Sequence, residues 1–490
     1  MTLLLIVTAL LPLAGAVSLL AGANARATGY ATAGGGCAAF GAAILVAIHV
    51  EADGRYESLG GFAYVDPLSA FFLFTVAAVI ALAAFGSAAY LIREEDSGGL
   101  NRLQIRLYVV FFGVFAGMML ASLETGNLGL VWVLIEASTL ASAVLVALEA
   151  RAASLEAAWK YIIISSFGVT IALVGTLFLY YAATSLPMSP EQRLTWPSLF
   201  VHAASLERDS LRLAFLLAVI GYGTKVGLAP MHTWLPDAHS EAPSPASALL
   251  SAALLNTGMY AIIRFQAIAG VELGRYTNHV LLVFGFASIA IGALFMVQRG
   301  NFKRLFAYSS VEHMGIIAVA LGFGGILGIY GALLHTLNHA IGKAVLFLTS
   351  GELVSRYRTR MAADLGGVIS AAPVVGGVLL LGSLAIVGSP PFGLFLSEFT
   401  IIRAGLGRSS AWLVALLIAL LVLAFVALLR TVAPIVLGEP TERVVAAPAA
   451  RASLVALTPL VAGVAALTVL GLWIPAALNT LIMHSIRAIT

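Results

Sequence analysis

Cysteine is almost absent from these 490 residues: Cys37 stands alone. Iron–sulfur clusters are held by several cysteine thiolates, so none can be built from this chain, and no disulfide can close within it. Any electron transfer that drives the protein must occur in another subunit, and no cofactor is expected on this one. Charge is scarce too. Charged residues make up 10% of the sequence, against about a quarter in soluble domains. So few charges cannot cover a water-facing surface. With hydrophobic residues at 61% and a mean hydropathy of +1.01, lipid must be the solvent for most of the chain. The net charge of +3 does not signal a nucleic-acid partner, because most basic residues lie in short segments between apolar runs, where they set topology.

Long apolar runs, by contrast, are abundant. A helix needs about 20 apolar residues to cross the hydrocarbon core. Runs of that kind fall at 2–22, 28–50, 67–92, 105–124, 127–148, 157–184, 211–231, 243–269, 277–298, 304–324, 326–353, 371–405, 411–436 and 453–480. They predict an all-α polytopic membrane protein with about fourteen spans. The first run has no basic residues ahead of it, is long enough to span and is followed by another, so it is read as a retained helix rather than a signal peptide. Arg299, Lys303 and Arg304 share one loop, Arg356, Arg358 and Arg360 another, and Arg451 precedes the last span. By the positive-inside rule these segments face the cell interior, which leaves both termini outside.

Two of the runs contain glycine and proline where a straight helix would not want them. One reads GLAP at 227–230, followed by Pro236; the other reads GSPP at 388–391. Proline removes a backbone donor and clashes with the preceding turn. A packing kink would account for either break alone. Breaks at corresponding places in two halves are the mark of an inverted-repeat transporter. Counting from them divides the chain into N-terminal helices over 1–104, a first five-helix repeat over 105–269, a second over 277–436, and a C-terminal helix over 453–490.

The chain has four lysines: Lys160 and Lys303 at helix ends, where they cost little, and Lys225 and Lys343 inside spans. Glu136, Glu312, His313, His335, His339 and Glu398 also fall inside spans. A lysine or aspartate at a helix centre costs about 2.5–3.5 kcal/mol, against a whole-domain stability of about 5–15 kcal/mol. A function must offset this, and a proton path is the simplest one. Burial disfavours the charged form of either group, and an opposite charge nearby restores it. A Glu136–Lys225 pair would then act as a proton switch governed by distance.

His335, His339 and Lys343 are spaced by four and form one stripe along a helix. Imidazole both gives and accepts a proton near neutrality, which suits a relay. Histidines at i and i+4 also bind zinc, but a lysine as third member argues against a metal. Plain hydrogen bonding across the bundle is the bland alternative. Glu312 and His313 are adjacent, so they point about 100° apart and cannot both face one axis, yet both are expected to line the interior rather than face lipid. Arg264 closes a span and is read as snorkelling to the interface. HTWLPDAHSEAP (232–243) brings His232, Asp237, His239 and Glu241 beside a helix break, either as a gate on the inner side or as a segment capping the next helix through Ser240 or Ser244. The glycine-rich GFGGILG (322–328) is no nucleotide motif, since no strand precedes it.

GTKVGLAPMHTWLPDAHSEAPSPASALLS (223–251), NFKRLFAYSSVEHMG (301–315), HTLNHAIGKAVLFLTSG (335–351) and PPFGLFLSEF (390–399) closely resemble the antiporter-like family. That family comprises the large proton-pumping membrane subunits of respiratory complex I, Mrp cation/proton antiporter subunits and their group 4 hydrogenase relatives. SSVEHMG together with NHAIGKAVLF is most similar to the F-subunit branch of hydrogenase-4-type complexes. The resemblance implies fourteen core helices in two inverted repeats. It implies a fifth-helix glutamate, Glu136, paired with a seventh-helix lysine, Lys225. It also implies an eleventh-helix relay of His335, His339 and Lys343, and a twelfth-helix exit residue, Glu398. One departure stands out: many relatives carry a bridging lysine early in the eighth helix, where this chain has Asn256, so water or His313 would have to take its place. The sequence also stops after the fourteenth helix, without the long lateral helix of one complex I subunit.

The resemblance further implies a prokaryotic inner-membrane location, with other membrane subunits and peripheral iron–sulfur and nickel–iron hydrogenase-like subunits as partners. The expected function is proton translocation within a redox-driven complex. The alternatives are an Mrp-type cation/proton antiporter subunit without a redox partner, and a non-conducting scaffold for a soluble oxidoreductase or carbon-handling partner.

Overall fold

The computed structural model of the protein describes residues 1–59, 62–97, 99–298, 300–408, 411–447 and 453–490. Arg299 and Arg451, assigned above to the inner side, lie outside the described residues. The chain opens with α1 (Thr2–Leu10) and α2 (Ala14–Leu20), joined through a single 3-10 turn, then α3 (Ala25–Asp53). A small antiparallel hairpin, β1 (Tyr56–Ser58) and β2 (Ala63–Val65), pairs Tyr56 with Val65. It is the one sheet among the described residues. Four long helices follow: α4 (Pro67–Ser97), α5 (Arg102–Leu123), α6 (Leu128–Ala147) and α7 (Ala152–Ala182). Asparagine starts several of them. Asn24, Asn101 and Asn127 each accept a backbone N–H of the first turn, satisfying a donor that has no partner within the helix.

After the short α8 (Trp196–Val201), the first broken crossing is made of α9 (Arg208–Val226) and α10 (Trp234–Glu241). Gly227 takes a left-handed conformation at φ 81° to end α9, as only glycine does readily. α11 (Ser244–Leu249), a π turn at Leu250–Leu254 and α12 (Leu255–Met296) then run on as 53 helical residues. A straight helix of that length would reach about 80 Å, far beyond the ~30 Å hydrocarbon core. Leu273 breaks it with non-helical angles (φ −122°, ψ 24°), and the two halves pack on different neighbours. A Cβ at Gly258 would meet Val226 and Tyr222 of α9, whereas one at Gly292 would meet Glu312 of α13 (Phe302–Phe323).

α14 (Gly325–Tyr357) lies beside α13, and both are buried along nearly their whole length. The short α15 (Val368–Ala371) leads to the second broken crossing, α16 (Pro373–Ile386) and α17 (Gly393–Gly407). α18 (Ala411–Leu437), the short α19 (Glu442–Ala446), α20 (Leu454–Leu472) and α21 (Ala476–Arg487) complete the chain. Among the described residues, ten helical stretches are long and apolar enough to cross a bilayer. Leu155, Trp159, Ile163 and Phe167 of α7 form an exposed stripe at helical spacing, and Trp412, Ile418, Val422 and Phe425 of α18 point outward likewise. Such faces fit lipid. The protein is thus an all-α polytopic membrane protein with two broken helices, as expected.

Arg264 overturns its expectation. It does not snorkel: only 1% of it is exposed. Its guanidinium makes two bonds to Asp66, at 2.5 and 3.0 Å, a third to Ser69 Oγ at 2.9 Å, and lies 3.7 Å over the Trp196 ring. Asp66 precedes α4 by one residue and accepts the Ser69 N–H, so the pair ties the start of α4 to α12 ahead of its break at Leu273. Removing one member of a buried pair strands the other charge and costs about 3–5 kcal/mol. Asp66→Ala should therefore sharply lower the thermal midpoint of the detergent-solubilised protein, followed by size-exclusion recovery after heating. Asp66→Ala combined with Arg264→Leu should regain part of that loss.

Candidate functional site

Lys225 lies one residue from the end of α9, immediately before the break, and is fully buried. Its Nζ donates to Thr139 Oγ1 at 2.6 Å and to the Tyr161 hydroxyl at 2.8 Å. Tyr161 in turn meets Ser142 Oγ at 2.8 Å and packs on Trp234 with ring centroids 4.6 Å apart. Glu136 is half-buried on α6, and its two carboxylate oxygens accept from Ser166 Oγ and, at 3.3 Å, from Thr139 Oγ1. Lys225 and Glu136 do not touch; the Thr139 hydroxyl joins them. Glu136, Thr139 and Ser142 are spaced by three, so one face of α6 carries the carboxylate and both hydroxyls. Spacing could have pointed to Thr139 and Ser142, but Tyr161 and Ser166 come from another helix.

The second cluster lies where α13, α14 and α17 meet. Ser397 Oγ donates to the Leu394 carbonyl at 2.8 Å, so it accepts from His335 Nδ1 at 2.9 Å. A neutral imidazole carries one N–H, which makes His335 Nε2 an acceptor and His313 Nδ1, 3.0 Å away, its donor. His313 Nε2 is left with a lone pair 3.5 Å from Glu312 Oε2. Two bare acceptors repel, so the contact is favourable when one proton resides on Glu312 or on His313. Glu312, His313, His335 and Ser397 thus form one continuous row of polar side chains. Glu312 and His313 line the same small cavity with Ser309 and Glu398, so both lie inside the bundle although they leave the helix about 100° apart. Long side chains converge on a cavity that their Cα–Cβ vectors only straddle.

Lys343, also fully buried, donates to the Phe306 carbonyl at 2.8 Å and to Ser309 Oγ. His339 lies 5.2 Å from His313, ring to ring, and neither of its nitrogens has a hydrogen-bond partner among the described residues. Glu398 reaches back over the second break, where a Cβ on Gly388 (φ 69°) would strike its carboxylate. Ligand atoms of His313, His335 and Glu398 lie within 4.8 Å of one another, a spacing a metal ion could bridge. The hydrogen bond between the histidines, however, already turns one nitrogen of each toward the other.

The 232–243 segment divides its groups by depth. Asp237 is paired with Arg304 at 3.1 Å and Lys160 at 3.6 Å, and Glu241 with Arg360 at 2.7 Å and Arg151 at 3.2 Å. His232 is buried 6.5 Å from the Tyr308 ring. His239 is fully buried between the rings of Trp234 and Phe347, with both nitrogens unpartnered among the described residues. Neither Ser240 nor Ser244 caps the next helix: α11 begins after Pro243 without a side-chain cap. Asn256 follows the π turn, its amide bonded to the Ala252 carbonyl, and does not reach either lysine. Lys303 departs from its expectation. Although second in α13, it is only 2% exposed, and its Nζ bonds the Ala242 carbonyl at 2.7 Å.

A family profile described as "NADH:quinone oxidoreductase/Mrp antiporter, TM" matches residues 125–425, which include both clusters. The hydrogenase-4 component F homologue of Methylacidiphilum infernorum (isolate V4) is 40% identical over 383 residues, 78% of this chain and 80% of that relative. A chain of the Mrp complex from Dietzia sp. DQ12-45-1b superimposes with a TM-score of 0.83 at 22% identity, covering 100% of this chain and 97% of that one. A chain of respiratory complex I from Thermus thermophilus does so at 0.80 and 22%, covering 99% and 100%. At that identity the likeness is one of fold.

Thr139 is the one group bonded to both Lys225 and Glu136, and this makes it testable. Thr139→Val removes an acceptor from a buried donor and should cost about 1–3 kcal/mol, read as a lower unfolding midpoint. Thr139→Ser should stay close to the parent.

Proposed function

This chain belongs to the NADH:quinone oxidoreductase/Mrp antiporter transmembrane family, and we propose that it is the proton-translocating, antiporter-like subunit of a redox-driven, hydrogenase-4-like membrane complex. One observation carries the reading. A fully buried lysine beside a helix break is joined to a carboxylate through a single hydroxyl, with no ion pair to fix its charge. A movement that shortens or lengthens the Glu136–Thr139–Lys225 link changes the Coulomb interaction in a medium of low dielectric, and so changes where the proton resides. The proton then passes to the second cluster, Glu312, His313, His335, His339 and Lys343, and leaves by Glu398.

In this proposal the two breaks belong to inverted five-helix units, 105–269 and 277–436, and the ion path runs between them. Loops rich in Lys and Arg face the cell interior and both termini the outside. Neighbouring membrane subunits deliver the movement. Electrons flow through peripheral iron–sulfur and nickel–iron hydrogenase-like subunits, since Cys37 cannot hold a cluster.

Lys225→Met should abolish proton translocation by the assembled complex in proteoliposomes while its subunits still co-purify. Normal pumping by that variant would sink the proposal. The family description also covers Mrp antiporters, which supports a second reading, sodium/proton exchange without a redox partner. A sodium-dependent pH change in vesicles that carry no redox protein would favour that reading.

A further inference from the structure

Lys303 begins a helix at the membrane rim, a place from which lysines ordinarily reach out to water. It also lies near the positive end of the α13 dipole, where a cation is disfavoured. Yet its side chain turns inward and is buried, bonded among the described residues only to the Ala242 carbonyl. Above it opens a cavity of about 600 Å³, walled by Tyr90, Arg93, Glu149, Arg151, Arg358 and Arg360, with Lys303 and Ala242 also on its surface. Most of these charges already have partners: Arg93 with Glu352 at 2.7 Å, Arg151 with Glu149 and Glu241, and Arg360 with the same two acids at 3.6 and 2.7 Å. A wall of compensated ion pairs holds water without calling for an anion. The cavity lies on the face where Arg93, Arg151 and Arg360 gather, the inner face in the orientation proposed above.

Further in, the next titratable group is His239, one turn before Ala242, with neither nitrogen partnered among the described residues. Its ring packs on Phe347, which packs on Phe306, whose carbonyl holds the Lys343 ammonium or amine. A buried imidazole with both nitrogens open among the described residues is free to take a proton on one nitrogen and release one from the other.

We propose that the vestibule is a proton uptake mouth, that Lys303 at its floor takes the proton from water, and that His239 hands it on to Lys343. This rests on the proton-translocating reading above. The transfers balance. The Lys303 amine lone pair accepts a proton from vestibule water and releases it to the bare nitrogen of neutral His239. His239 gives up the proton on its other nitrogen to the Lys343 amine.

The test uses the intact complex in proteoliposomes, with proton translocation compared at equal redox turnover. Arginine keeps the charge and the donors of lysine but does not give up its proton. Lys303→Met, Lys303→Arg and His239→Leu should each lower translocation by on the order of tenfold or more, whereas Lys303→His should retain much of it. A purely structural Lys303 would tolerate arginine better than histidine, so full pumping by Lys303→Arg or by His239→Leu overturns the assignment. So does an anionic phospholipid that stays bound to the purified complex and is lost with Arg358→Ala, since its headgroup would stopper the mouth. If Lys225→Met stops pumping while the Lys303 and His239 variants pump normally, the uptake route alone falls. If none of these substitutions reduces pumping, the translocation reading falls with it.

Discussion

Hydrocarbon offers no hydrogen bonds, so a helix interrupted within the membrane must find protein partners for every backbone group the break sets free. In the first broken crossing these partners come from well apart in the chain. Trp234 Nε1 donates to the Thr224 carbonyl at 2.8 Å, and the Ala229 N–H donates to Ser288 Oγ at 2.9 Å. In the second, the Ser389 N–H closes back on the Leu384 carbonyl at 3.1 Å. Satisfying the breaks draws polar groups into the middle of the bundle, and the titratable residues collect there for the same reason. Lys225 and Glu398 each sit beside an unwound stretch. A break is thus both the costliest feature of the fold and the place where ionisable groups are most easily kept.

The buried cations differ in what holds them. Arg264 is clamped by a carboxylate, a hydroxyl and two aromatic faces, an arrangement that fixes its charge and suits a structural tie. Lys225, Lys303 and Lys343 are held by hydroxyls and carbonyls. Those partners accept a hydrogen bond from an ammonium and from an amine alike, so they impose no charge. The difference separates a cation fixed by a carboxylate from lysines whose partners leave either protonation state hydrogen-bonded. The histidines are held differently from one another: both nitrogens of His335 are engaged, by His313 and Ser397, whereas His313 turns its second nitrogen toward Glu312.

Much of this was legible in residue order. Apolar runs gave nearly every helix, since crossing length is a local property of composition. Gly-Pro segments marked both breaks, and the i, i+4 spacing put His335, His339 and Lys343 on one stripe of α14. Where the reading failed, it failed through rules of thumb about helix ends. Arg264 and Lys303 both sit where a long cation ordinarily reaches water, and both turn inward toward partners, Asp66 and Ala242, far off in the chain. Glu312 and His313 share a cavity because flexible side chains can converge from diverging directions. Tyr161, Ser166 and Ser397 were missed because a hydroxyl in an apolar helix carries no signal until its partner is placed beside it.

Spans, breaks and the histidine stripe follow from periodicity and local backbone chemistry, which act over one or two helical turns and so are written in consecutive residues. The Lys225–Thr139 bond spans 86 residues of sequence, Arg264–Asp66 spans 198, and Lys303–Ala242 spans 61. No local pattern sets such pairings. They arise when helices pack, because only packing removes water and lipid from a polar group and leaves it a single partner within reach. Sequence order therefore decides which ionisable groups enter the membrane, and packing decides which of them meet a carboxylate and which meet only hydroxyls and carbonyls.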